Sequence, residues 1–338
     1  MFSPFLTTGI GSLPHTDPQE ACRLVFATLD IPFWPQLPRI SFRESMIPQF
    51  SEGLPSLMVD EKRETVWVEK EKAAAEKFFE TYSADWSLAI SEEYARGFHA
   101  FVRQLGDKQF GCLKGQITGP LTFTLGLKDS AGKPVYFDEE LREISLIILK
   151  AKIKWQIEIL KKSAPEVIIF IDEPILSALG SSSYLGVACD EAERLLRETS
   201  DSIKEYGGIP GIHCCGKADW PLVIRSGARI INFDAYDYLE SVSLYPAEIA
   251  GFLRNDGYLA WGIVPTTDAI EEMTPVTLKR RFEEGIAKLS QPGVPGDLLL
   301  SRILLTPSCG VGSRSLDEAI RVFGTLGEVK NLLQEAYS

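Results

Sequence analysis

The sequence predicts a single α/β domain built from eight strand–helix units, and three observations predict it. Apolar, β-rich runs recur along the 338 residues and alternate with segments of helical periodicity. The runs are near-continuously apolar, as strands of a parallel sheet covered by helices must be. Polar, reactive residues collect at the C-terminal ends of those runs.

The runs are Phe5–Leu13, Pro32–Leu37 (weakened by its prolines), Gln109–Gly119, Glu166–Pro174, Gly208–Cys215, Ala228–Tyr236, Gly257–Val264 and Leu298–Cys309. Helical periodicity marks Asp17–Leu29, Ser91–Leu105, Phe137–Ser163, Asp190–Tyr206, Trp220–Ser226, Tyr245–Asn255, Thr274–Leu289 and Leu316–Tyr337. Ser56–Lys70 breaks the alternation and reads as a β-hairpin insertion with Asp60–Arg63 at its turn. Eight units without a linker or repeat predict one (β/α)8 TIM barrel spanning residues 1–338.

Composition narrows the classes of function. A net charge of −12 offers no basic footprint for nucleic acid or an anionic membrane. No apolar run is long enough to span a bilayer, and the N-terminus lacks the pattern of a secretory signal. Six cysteines are too few for a disulfide scaffold, which points to a reducing cytoplasm.

In a barrel the C-terminal strand ends converge on one mouth. Ser12 and His15 follow the first strand, Gln116 and Thr118 end the third, and Asp172 and Glu173 the fourth. His213 and Cys215 end the fifth, Asp234 the sixth, and Cys309 the eighth. Two thiols and an imidazole suit zinc with a position left for substrate. Alternation along a strand favours Cys215 over Cys214 as the partner of His213. Asp234 is either a fourth ligand or a residue that orients His213 from behind. Asp172 is read as the grip on a cationic substrate group, against the plainer reading of a helix cap before Pro174. Cys22, Cys112 and Cys189 are read as core, and His99 as structural. Arg39 and Arg43 are read either as carboxylate binders or as surface ion-pair formers.

Gly9–Asp17 (GIGSLPHTD), Thr118–Phe123 (TGPLTF), the IDEP, HCCG and PSCG motifs, in this order, resemble the catalytic barrel of cobalamin-independent methionine synthase. More broadly they resemble the superfamily that also holds uroporphyrinogen decarboxylases and zinc-dependent corrinoid methyltransferases. The resemblance covers nearly the whole chain. It implies zinc held by His213, Cys215, Asp234 and Cys309, with Asp234 standing where the family has Glu. It implies substrate contacts from Ser12 and Asp172, and methyl transfer to a homocysteine-like thiol from methylcobalamin, a corrinoid protein or a folate.

The catalytic set so predicted is His213, Cys215, Cys309 and Asp172, with Ser12, His15, Glu173, Gln116 and Thr118 as further substrate contacts. Two departures bear on the substrate. Met46–Phe50 reads MIPQF, with Pro48 where the family places an amine-binding Glu, and Ile263–Asp268 lacks the family's histidine. The alternatives are a metal-free lyase relying on Arg39, Arg43 and Asp172, and a non-catalytic subunit that docks a corrinoid protein.

Overall fold

The computed structural model describes residues 2–337 apart from 84, 180, 182, 183, 185, 291 and 292. Nine strands are described: β1 (Leu57–Asp60), β2 (Thr65–Val68), β3 (Cys112–Thr118), β4 (Lys128–Asp129), β5 (Glu166–Asp172), β6 (Ile209–Cys214), β7 (Ile230–Asp234), β8 (Tyr258–Val264) and β9 (Ile303–Pro307). Six of them, in the order β3-β5-β6-β7-β8-β9, form one curled parallel sheet. Nearly every residue of these strands is buried, because helices cover one face and the interior of the curl is filled by the other. The sheet's concave floor is an apolar cluster that includes Ile168, Phe170, Ile230, Tyr258 and Leu304.

The sheet corrects the predicted eight-stranded barrel. β3 and β9 are its two edges, and the two N-terminal runs do not form regular strands. They cross the gap as extended segments held by isolated parallel bridges: Thr7 to Leu305, Ser12 to Gln36, and Phe33 to Lys114. The cause lies in the residues. Pro32 and Pro35 have no N–H to give a ladder, and Phe5 takes a left-handed φ of 65°. Side chains supply what the ladder lacks: Trp34 Nε1 donates to Gln156 Oε1 at 2.8 Å, and Gln116 Nε2 donates to Trp34 O at 2.9 Å. The two segments approach so closely that a Cβ on Gly11 would lie 2.5 Å from Gln36 Oε1.

The predicted helices all form, among them Pro18–Thr28, Arg96–Leu105, Glu139–Leu160, Cys189–Glu205 and Leu316–Tyr337. Asp17 caps the first of these by accepting from Gln19 N, and Asp138 caps the third by accepting from Leu141 N. The hairpin also forms, with β1 and β2 antiparallel and Asp60 Oδ1 accepting from Lys62 N and Arg63 N in its turn. Its second strand gains a parallel partner in β4. The last predicted strand is shorter than its apolar run, since Gly296–Leu300 is a helical turn behind Pro295. Cys189 is exposed at a helix start and is not core, whereas Cys22 and Cys112 are buried. No helix among the described residues is long and apolar enough to cross a membrane.

Candidate metal centre and substrate cavity

The ligand atoms of His213, Cys215 and Cys309 lie within 4.8 Å of one another. His213 sits at the end of β6, Cys215 one residue past that strand, and Cys309 two residues past β9. Cys309 Sγ is 3.9 Å from His213 Nε2. Among the described residues, this is the group of His, Cys, Asp and Glu side chains arranged to hold a metal ion. Asp234 is not in it. Its Oδ1 accepts from Tyr236 N and Asp237 N at 2.9 Å each, closing the turn after β7. Burial raises its pKa to about 6 against those two N–H groups.

The thiols of Cys215 and Cys309 are placed to hydrogen-bond each other. Hydrogen bonding to Cys309, then to His213, holds the Cys215 pKa far below its ordinary value, while the same contact with Cys215 pushes Cys309 up. Burial works to lower the His213 pKa. The bond to Cys215 and the charge of Asp172 outweigh it and hold that pKa above the ordinary value.

These three residues line a cavity of about 330 Å3 together with Ser12, Asp172 and Glu44. Asp172 pairs with His213 across β5 and β6, which explains why it faces the same space. It is nearly fully buried, and its Oδ1 has no hydrogen-bond partner. Burial raises its pKa to about 6, with the charges of His213 and Lys114 pulling the other way. Ser12 Oγ accepts from Gly312 N at 3.3 Å, which leaves its O–H free to donate.

Two lining or supporting groups escaped sequence reasoning. Glu44, in the short turn Phe42–Glu44, is 1% exposed and its Oε2 is also unpartnered. Burial lifts its pKa to about 7, although Arg96, at 3.5 Å from Oε1, pulls it down. Nothing in PRISFRES separates this acid from a solvated one. Lys114, inside the curl, donates from Nζ to Ile10 O and Gln116 Oε1 and lies 4.5 Å from the centre of the Phe170 ring. Burial lowers its pKa to about 7, opposed by Asp172. Its signal was present in the sequence: a lysine in step with Gln116 and Thr118 on an otherwise apolar strand.

Four of the predicted substrate contacts lie elsewhere. Glu173 points away from the cavity, as alternation with Asp172 requires, and accepts from Leu121 N, Thr122 N and Thr122 Oγ1 at 2.8, 2.8 and 2.6 Å. It thereby closes the start of the helix Pro120–Gly126, and burial raises its pKa to about 7 against those bonds. Gln116 and Thr118 are spent on tethers, Thr118 Oγ1 donating to Met46 O at 2.7 Å. His15 is buried outside the cavity lining, with burial lowering its pKa. Arg39 donates to the carbonyls of Gly312, Ser313 and Arg314, and Arg43 is bound by Glu61, Glu93 and Tyr94. Neither arginine lines the cavity.

No family model matches this sequence, and no curated protein sequence does. A solved structure does match, over 99% of this chain and 99% of its own, with a TM-score of 0.64 at 14% identity. It is a B12-independent methionine synthase from Shewanella sp. W3-18-1, solved in complex with selenomethionine. In fold, this chain resembles a B12-independent methionine synthase. The likeness is one of backbone architecture, since so few side chains are shared.

Proposed function

We propose that this protein, as one domain, is a zinc-dependent methyltransferase that methylates the thiol of a homocysteine-like amino acid. One observation carries the reading: a single cavity has a His–Cys–Cys cluster at one wall and two buried carboxylates with unpartnered oxygens, Asp172 and Glu44, at others. A thiol suits the first and an ammonium group suits the second. The donor set fits zinc, being one imidazole and two thiols within reach of one ion. His213, Cys215 and Cys309 are the ligands in this reading, and Asp234 the residue to test as a fourth. Zinc bound there supplies the positive charge that keeps a substrate thiol deprotonated near neutral pH.

The chain's own groups do the rest. Asp172 and Glu44 accept hydrogens from the substrate ammonium, which satisfies oxygens whose burial is otherwise costly. The free O–H of Ser12 donates to the substrate carboxylate. Held at both ends, the sulfur is oriented toward the incoming methyl carbon. Its lone pair forms the S–CH3 bond as the bond from methyl to donor breaks, and the donor leaves with that electron pair. The donor is a methylated corrinoid, free or protein-bound, or a methyl folate. A reducing cytoplasm keeps both cysteines as thiols.

Glu44 is the reason to retain an amino-acid substrate despite Pro48, because it brings a second acid to the cavity from a different point of the chain. The engagement of Arg39 and Arg43 away from the cavity weighs against the lyase alternative.

Metal analysis with single-turnover assays tests the proposal. The purified chain should hold about one zinc and demethylate methylcobalamin with homocysteine ahead of coenzyme M and simple mercaptans. Equal turnover after zinc removal would overturn it. So would zinc-loaded protein that accepts no thiol from either donor class, which would favour the docking-subunit alternative.

A further inference from the structure

We propose that Asn232 is a positioning residue for the metal centre, holding the His213 ring in one tautomer with Nε2 presented to the two thiols. The inference rests on the metal reading above. It concerns a side chain that neither ligates nor touches substrate, at a position no motif singled out.

Asn232 is the middle residue of β7 and is fully buried. It pairs with His213 of β6 on one side and with Ala260 of β8 on the other. Both of its N–H hydrogens are committed: Nδ2 donates to Ala260 O and to Thr306 Oγ1, each at 2.8 Å. A main-chain carbonyl can only accept, so reversing the amide would set Oδ1 against Ala260 O. The amide therefore has one orientation, and in it Oδ1 faces His213 Nδ1. That ring nitrogen must carry a hydrogen to meet an acceptor. In the neutral imidazole the lone pair then belongs to Nε2, the nitrogen 3.9 Å from Cys309 Sγ. A backbone carbonyl of β8 thus dictates, through one amide, which nitrogen a metal would meet.

The choice of amide has an electrostatic consequence. Two thiolates already neutralise a dication, and Asp172 stands beside His213. A carboxylate behind the imidazole would add another buried negative charge, whereas an amide orients the ring without one.

Zinc dissociation constants from chelator competition on the full chain test the proposal. Asn232→Leu keeps much of the side chain's bulk but cannot accept, so zinc affinity should fall about 10- to 100-fold, the usual cost of losing a partner behind a ligand. Asn232→Asp separates positioning from plain structural support. It forfeits both Nδ2 donors and turns a second acceptor toward Ala260 O, a stability cost read separately by denaturant unfolding, but keeps an oxygen before Nδ1. N232D must therefore bind zinc at least about tenfold more tightly than N232L, and its cobalt-loaded form must keep the thiolate-to-metal absorption of wild type. A role limited to tying β7 to β8 and β9 predicts that N232D is no better than N232L, and that result overturns the inference. If N232L does not fold, N232D is compared with wild type alone: affinity within about tenfold supports the proposal, and a folded N232D weakened more than about 100-fold overturns it. Wild-type protein that takes up no zinc would sink the metal reading together with this one. Wild-type zinc binding with N232L unchanged sinks this one only.

Discussion

The two ends of the cavity are built in different ways. The proposed thiol end has His213 on β6, braced sideways by β7, with Cys215 and Cys309 one and two residues past the ends of β6 and β9 in the parallel ladder. The end proposed for the ammonium and carboxylate takes Asp172 from β5 of the ladder, but its other groups come from outside it: Ser12 on a bridge-tied segment, and Glu44 in a three-residue turn. Groups on strands are held to tighter geometry than groups on loops and turns. The comparison teaches that, in the proposed function, the metal-binding groups are seated in or just past the regular arc, while part of substrate recognition falls to the irregular N-terminal part. An acid could therefore be supplied from position 44 with Pro48 in place and the thiol site unaltered.

The largest expected effect comes from breaking the rigid end. Cys309→Ser or His213→Ala should lose bound zinc and at least about 100-fold of turnover, because the remaining donors are too few for a stable site. Elemental analysis and single-turnover rates measure this; a variant that keeps full activity without metal defeats the comparison. Asp234→Asn should cost far less, since two backbone N–H groups already occupy its Oδ1.

Breaking the other end should change recognition and leave the metal in place. Glu44→Gln removes one charged acceptor, worth about 1.5–3 kcal/mol, so KM for an amino thiol should rise about 10- to 100-fold. Zinc content and the KM of a thiol lacking an ammonium group should not move. Equal loss for both thiols would place Glu44 in the support of the fold instead.

Gly119→Ala tests the division between Asp172 and Glu173. A Cβ there would lie 2.1 Å from the Glu173 carboxyl carbon, so the variant should lose about 1–3 kcal/mol of stability by denaturant unfolding. Its zinc affinity should be close to wild type.

A further expectation is a pH dependence of stability. Burial holds Glu44 at about 7, above the roughly 4.3 of a glutamate in an unfolded chain. The folded chain therefore binds this proton more tightly, and Glu44 makes stability fall as pH rises between those two values. The melting temperature of E44Q should vary less than that of wild type across that window. Affinity for an ammonium-bearing ligand should rise through the same range as Glu44 ionises; a flat profile would show that Glu44 carries no charge to it.

Much of this site was legible in the sequence because it depends on local periodicity. The strand–helix alternation, the hairpin and the His213–Cys215 spacing follow from residues near one another, and the convergence of Cys309 follows from parallel strands sharing one direction. Alternation also held the answer to Glu173, which must face away if Asp172 faces in. The closure of the sheet was not legible, because it is decided where Phe5 and Thr7 meet β9, Phe33 meets β3, and Gly11 meets Gln36. Nor was the burial of Glu44, which depends on Arg96 and a cavity wall distant in sequence. The sequence alone determined which reactive residues exist and which strand ends carry them, since side-chain direction repeats along a strand. Only the tertiary structure decided which acids were left unpartnered inside, because desolvation and hydrogen-bond supply belong to a place in space and not to a stretch of chain.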